Sequence, residues 1–391
     1  MTTPSILLKR LPALPLALMV GVLAGCPDTT EYGDAGSGGH PVGPVGRVKL
    51  VQMLGKADDP DLDSLGNFLV SPNGKKVYLA SWGGSVFSYD RSPLDGSLAR
   101  AYASPVNNAG GIAITPDGAH LYATGSYYPF QLVPFDVDPV TGEPTPKEGI
   151  PTVSGGDVAV AAAGALLFQS LGGSAGHIQA YRIDPTSGAL TSGEGTPYVS
   201  QGDFAFLADD EHGTLYAERA TGDGEPKYIA RYTVDPASGA LTKEAETIAD
   251  LASAYVQLAR CPGTTRLYVA QEAGNIGYAD VSGTGLSIVS TFTHPDLVHV
   301  WSATLSPDCQ NLYAVTQQNY TGALVVLARD AAGDLTWLQT IKMGPNTAIP
   351  DITAPLFAVI SPDGKNVYVN SNTSGEGFAV FQRDTSGVGS D

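Results

Sequence analysis

Ser361-Pro362-Asp363-Gly364-Lys365-Asn366-Val367-Tyr368 joins a tight turn to the start of a strand. Proline presets φ and glycine supplies the positive φ that lets a chain reverse. The aliphatic-aromatic pair Val367-Tyr368 then opens the strand. The phrase recurs along the chain, as Ser71-Pro72-Asn73-Gly74 with Val77-Tyr78 and as Thr115-Pro116-Asp117-Gly118 with Leu121-Tyr122. A worn copy has Gly164 with Leu167-Phe168. The turn at 209–213 precedes Leu215-Tyr216, Cys261-Pro262-Gly263 precedes Leu267-Tyr268, and Ser306-Pro307-Asp308 precedes Leu312-Tyr313. Seven aromatic landmarks result, at positions 78, 122, 168, 216, 268, 313 and 368, spaced by 44, 46, 48, 52, 45 and 55 residues.

Each copy carries four strand signals. A small, apolar stretch such as Gly111-Ile112-Ala113-Ile114 precedes the turn and suits an inner strand crowded around an axis. The aromatic strand follows. A third strand alternates, as in Ile178-Gln179-Ala180-Tyr181-Arg182-Ile183. A second turn comes next, as in Asp138-Pro139-Val140-Thr141-Gly142, Asp184-Pro185-Thr186-Ser187-Gly188 and Asp235-Pro236-Ala237-Ser238-Gly239. A more polar fourth strand completes the unit. Four antiparallel strands repeated at this period describe an all-β, seven-bladed β-propeller. The helical periodicity of an α-solenoid is missing.

The seventh copy ends near Asp384 without a fourth strand. Residues 46–53, Gly-Arg-Val-Lys-Leu-Val-Gln-Met, resemble the fourth-strand stretch 333–340. The N-terminal strand is therefore expected to complete the last blade, which closes the ring and removes an exposed edge.

The Asp-Pro-x-Ser/Thr-Gly-x-Leu turn, preceded by Ala180-Tyr181-Arg182-Ile183-Asp184, resembles that of the lactonase-type seven-bladed propellers. That family includes the propeller 6-phosphogluconolactonases and the carboxymuconate-lactonising enzymes. The phrase at 361–368 is shared more widely, including by surface-layer-like propellers with YVTN repeats. The resemblance covers about residues 47–384. It implies the same fold, and activity on lactones through His, Arg and Glu on one face.

Of the 391 residues 43% are hydrophobic, enough for a large core, and Gly 47 with Pro 28 suits many tight turns. The formal charge is -18, from 21 Lys+Arg against 39 Asp+Glu. Such a surface repels phosphate backbones and argues against nucleic-acid binding. Lys9 and Arg10 precede an apolar run from Leu11 to Leu23, too short for an ordinary membrane span, which ends in Leu23-Ala24-Gly25-Cys26. These parts resemble a bacterial lipoprotein signal cut before Cys26; the alternative is an ordinary secretory signal. The expected organisation is a signal peptide at 1–25, a flexible tether at 26–46 rich in Gly, Pro, Asp and Thr, a propeller at 47–384, and a tail at 385–391. Lipid on Cys26 would hold the chain to a membrane of the cell envelope, periplasmic or surface-exposed. A monomer is expected.

A propeller site usually sits where loops converge on the channel mouth. Loops between second and third strands place Trp82, Tyr127, Tyr128, Gln169, Gln271, Gln317, Asn319, Tyr320 and Asn370 on that face. The starts of inner strands add Asn67, Asp157 and Asp203. Amides donate and accept hydrogen bonds and aromatic faces suit sugar or ring surfaces, so a polar small molecule, glycan or protein is the expected ligand. The alternative is that these are ordinary solvated or blade-bonding residues. For an enzyme, Glu218, Glu272 and His177 would serve as acid or base, and Arg219 would hold an anionic substrate. Residues 172–176 match G-x-S-x-G, but that motif needs a strand-to-helix elbow, which a loop between strands lacks. Asp58, Asp59, Asp61 and Asp63 read as a solvated acidic loop; a calcium site would need further ligands. No His/Cys set has zinc spacing, and neither a metal nor another cofactor is expected. Cys261 and Cys309 hold equivalent places in adjacent copies. A disulfide between blades is the expectation, two unpaired residues the alternative, and their Cα separation decides.

Overall fold

A computed structural model describes residues 45–171, 177–193, 196–199, 203–209, 213–220, 227–250, 256–283 and 285–386. Cys26, the signal, the tether before residue 45, the G-x-S-x-G match and the tail beyond residue 386 lie outside these. So do the side chains of Asp203 and Arg219. Among the described residues no helix is long and apolar enough to cross a membrane.

The described chain forms seven antiparallel sheets, and in six of them the strands run in sequence order from the axis outward. Blade 1 consists of Leu65–Val70, Lys76–Ser81, Ser85–Arg91 and Leu98–Pro105. Blades 2 and 3 start at Ala109–Ile114 and Val158–Ala161, and their outer strands are each broken in two. Pro144, Pro146 and Pro151 explain the break in blade 2, since proline cannot donate to a ladder. Blades 4, 5 and 6 start at Asp203–Asp209, Val256–Arg260 and Val300–Leu305. Blade 7 takes Pro355–Ile360, Asn366–Ser371 and Phe378–Arg383 from the end of the chain and Val48–Leu54 from its start. Each inner strand touches the next, and that of blade 7 touches that of blade 1, so the ring is closed.

The seven aromatic landmarks are all buried, at 0–1% exposure. Five are tyrosines whose hydroxyl crosses to the next blade and donates to the glycine carbonyl of its second turn. Tyr78 reaches Gly142 at 2.7 Å, Tyr122 reaches Gly188 at 2.9 Å and Tyr268 reaches Gly333 at 2.7 Å. Tyr368 reaches Gly96 at 2.9 Å. At the closure Tyr313 donates to Gly46 at 2.7 Å, so Gly46 takes the place of the turn glycine that the last blade lacks. Burial pushes the Tyr368 hydroxyl up to about 12, which keeps it protonated and donating. Phe168 has no hydroxyl. Above the corresponding Gly239, a Cβ would lie 3.2 Å from that of Ala180 and 3.3 Å from Leu166, so apolar packing fills that seam.

Three seams carry a further clamp. Arg91 Nε donates to the Tyr368 hydroxyl at 2.8 Å, while its Nη2 contacts both carboxylate oxygens of Asp363 at 3.0 and 2.9 Å. Arg383 repeats this on Tyr313 at 2.9 Å and on Asp308 at 3.0 and 2.8 Å. Arg329 donates to Tyr268 at 2.7 Å, but the turn of blade 5 is Cys261-Pro262-Gly263 and offers no carboxylate. There the Cys261–Cys309 disulfide, with a Cα separation of 5.8 Å, joins the blades instead.

The acidic loop before blade 1 is not simply solvated. Asp59 is 2% exposed. It accepts from the Tyr89 hydroxyl at 2.8 Å and pairs with Arg100, which also bonds Asp61 at 2.7 Å. The Arg100 guanidinium thus pairs with two of the four carboxylates.

Tyr313→Phe removes the hydroxyl that bonds Gly46 and accepts from Arg383. A lost buried hydrogen bond costs about 1–3 kcal/mol, and urea denaturation should show a fall of that size; an unchanged midpoint would contradict the staple. Burial opposes the charge on Asp308 and Asp363, but the Ser306 and Ser361 hydroxyls and the facing arginines outweigh it and hold both carboxyls below their usual value. Stability from a depressed carboxyl is present above the unfolded pKa and lost as pH falls through the folded one. The unfolding midpoint should therefore drop below about pH 4, and Asp308→Asn should flatten that drop. An equally steep acid profile in the variant would assign it to other groups.

Candidate functional site

The inner strands build the channel. In blades 1, 2, 4, 6 and 7 their register shifts near the N-terminal end. A bulge bends the strand and re-aims its side chains. Asn67, Gly111, Asp157, Gln257 and Phe357 each stand four residues before the first turn of their blade. Residues of all seven blades line a cavity of about 340 Å³ at the mouth. Trp82, Trp301 and Phe357 give it aromatic walls, and Asn67, Gln257, Asp157 and Glu218 give it polar ones. Asn67 Nδ2 donates to Asp157 Oδ1 at 3.2 Å, linking blades 1 and 3. A second space of about 260 Å³ lies further down the channel, bordered by the same Asn67, Asp157, Gln257 and Phe357.

The lining is held from behind by polar residues two places after the landmark aromatics. The Thr124 hydroxyl accepts from Gly111 N at 2.9 Å and donates to the Gly156 carbonyl at 2.7 Å. A Cβ on Gly111 would meet that carbonyl at 2.7 Å, so the close approach requires glycine. Ser170 Oγ accepts from Asp157 N at 2.8 Å. Asn370 accepts from Phe357 N at 2.9 Å and donates to the Gly66 carbonyl at 2.7 Å. Glu218 holds the equivalent place in blade 4, is 1% exposed and lines the cavity.

Of the residues singled out from sequence, Asn67, Trp82, Asp157 and Glu218 thus meet in one cavity. Asn370 and Gln169 are fully buried within the sheets, and Gln271 is buried at a strand end. Gln169 donates to the Ser154 carbonyl at 3.4 Å. Gln317 offers its backbone carbonyl to Trp301 Nε1 at 3.3 Å. Tyr127, Tyr128 and Tyr320 are exposed at the rim, and Asn319 shares a turn with Tyr320. His177 starts a third strand opposite Leu171 and Val199, outside the cavity lining. The backbone of Asp203 pairs with that of Arg219.

Glu272 lies in a different pocket, of about 350 Å³, between blades 5 and 6. Its partner there is His299, whose Nδ1 stands 3.3 Å from Glu272 Oε1. The sequence reading passed over His299, Gln257, Trp301 and Phe357. The four-before-the-turn register would have found Gln257 and Phe357; His299 has no comparable signal.

No family model matches the chain, and no curated protein matches it. Solved structures do. A protein assigned as a 6-phosphogluconolactonase from Bacteroides uniformis is similar at a TM-score of 0.59 and 16% identity, covering 79% of this chain and 90% of that one. One so assigned from Bacteroides fragilis gives 0.57 and 17%, with coverages of 78% and 86%. The periplasmic gluconolactonase of Pseudomonas aeruginosa gives 0.58 and 16%, with coverages of 71% and 85%. Identities this low speak for fold alone. The chain has the lactonase-type seven-bladed propeller fold.

Proposed function

We propose that this is an exported, lipid-anchored binding protein whose channel mouth takes a small, uncharged, polyhydroxylated ligand such as a sugar. The observation that carries the reading is the cavity lining. Trp82, Trp301 and Phe357 supply flat apolar faces, while the amides of Asn67, Gln257 and Asn372 and the carboxylates of Asp157 and Glu218 supply partners for hydroxyl groups. The described lining holds no Lys, Arg or His, which disfavours a phosphorylated ligand. The anchor rests on the sequence before Cys26. The described chain enters the propeller at Gly46, in the place of a second turn. Those turns lie on the face opposite the mouth, an arrangement that suits a mouth open to solutes.

A second reading, lactone hydrolysis, draws on the names of the structural neighbours and on the Glu272–His299 pair. A carboxylate at Nδ1 orients an imidazole so that Nε2 can take a proton from water attacking a carbonyl.

Two of the three tryptophans of the chain line the cavity, so their fluorescence reports on it. Titration with D-glucose and glucono-1,5-lactone should change the emission, and Glu218→Gln should weaken binding by about tenfold, the effect of one lost charged hydrogen bond. No change with either compound would sink the binding reading. Lactone turnover that disappears in His299→Ala while sugar binding persists would establish the second. In detergent phase partition the full chain expressed in a bacterium should enter the detergent phase and its Cys26→Ser variant the aqueous phase. Equal partition of the two would rule out the anchor.

A further inference from the structure

We infer that the mouth carries an aromatic track for a neutral polysaccharide chain, with the central cavity as its innermost subsite. This rests on the reading of the cavity as a carbohydrate site and extends it from one sugar to a polymer. The cavity, at about 340 Å³, falls near the lower end of small-molecule sites, about 300–1,000 Å³. It has room for little more than one or two sugar rings, yet aromatic groups continue outside it.

On one side stand Tyr127 and Tyr128, 64% and 86% exposed, in the loop between the second and third strands of blade 2. On the other stands Tyr320, 72% exposed, in the same loop of blade 6. Blades 2 and 6 are three seams apart through blades 7 and 1, so the two loops flank the mouth from opposite sides. Each joins a tryptophan of the cavity. Trp82 Nε1 and the Ser126 hydroxyl both abut Gly110, at 3.4 and 2.3 Å from where its Cβ would stand, and Ser126 leads directly into Tyr127. Trp301 Nε1 donates to the Gln317 carbonyl at 3.3 Å, at the base of the hairpin that ends in Tyr320. The aromatic sequence thus runs from blade 2 across the cavity to blade 6.

Both rims are held in place. Asn107 donates to the Tyr127 carbonyl at 3.2 Å. Tyr320 sits at φ 61 beside Asn319 at φ 52. A bulky residue is rare in the left-handed region, where glycine or asparagine relieves the strain. Keeping tyrosine there holds an aromatic ring at the rim despite that cost. Stacked aromatic faces also suit single-stranded nucleic acid, but the formal charge of -18 opposes a polyanion. Sugar polymers without charge present hydroxyls to the amides and C–H faces to the rings.

The test uses the full chain and its tryptophan fluorescence, titrated with cello-oligosaccharides and with N-acetylated chito-oligosaccharides of increasing length. In at least one series the Kd should fall about tenfold or more between a single sugar and four units. The double variant Tyr128→Ala, Tyr320→Asn should lose that gain and keep the single-sugar Kd within about twofold; asparagine tolerates the φ of Tyr320, so the turn survives. Single-sugar binding without a length gain would overturn the track and leave the cavity reading standing. A gain that persists in the double variant, or tighter binding of a proline-rich peptide than of any saccharide, would also overturn it. Failure of every saccharide to bind would remove both.

Discussion

One hydrogen bond, from a second-strand tyrosine to the glycine carbonyl of the next blade's second turn, recurs at five seams of the ring. It explains why the two turn phrases occur together. The aromatic ring fills the space between sheets, its hydroxyl sets their spacing, and the glycine brings its carbonyl within reach. A blade buries its faces only against its neighbours, so sheet-to-sheet registration is the condition for a core. The same bond fixes the closure, because Gly46 substitutes for a turn glycine and positions Val48–Leu54 against Phe378–Arg383.

Among the described residues the clamps differ from seam to seam, and between blades 4 and 5 Arg231 Nη1 donates to the Val281 and Gly285 carbonyls, each at 3.2 Å. Arginines meet the tyrosine hydroxyls at the seams between blades 5 and 6, 6 and 7, and 7 and 1. The last two flank blade 7, where no covalent connection joins the outer strand to the third. A disulfide takes the role of the Asp–Arg pair at the seam whose turn lacks Asp. The same ring determines the site. Inner strands crowd the axis, five of them bulge near their N-terminal ends, and residues four places before the first turns of five blades converge at the mouth.

The fold was legible because its determinants repeat. Seven turn-and-aromatic copies set the blade count, the unmatched fourth strand located the closure, and Cys261 and Cys309 stood at equivalent positions. The site was less legible because it depends on what differs between copies. Asn370 and Gln169 look like loop-end polar residues, yet at 0% exposure they bond backbone, Asn370 that of the inner strand of blade 1 and Gln169 that of the loop before blade 3. Strand direction alone cannot tell these from Glu218, which holds the place of Asn370 in another blade and lines the cavity. A bulge shifts the phase of the inner strand of blade 6, so Trp301, five residues before its turn, falls outside the register that marks Phe357. Arg100 meets Asp59 across 41 residues, and His299 meets Glu272 across 27, separations at which composition carries no pairing signal.

The first strand closes the ring through the bond between Gly46 and Tyr313. Hydrogen exchange of the full chain measures this directly. The amides of Val48–Leu54 that pair with Phe378–Arg383 should exchange as slowly as those of the outer strand Leu335–Met343, which is covalently continuous with its blade. Rapid exchange throughout Val48–Leu54, with slow exchange retained in Leu335–Met343, would contradict the closure.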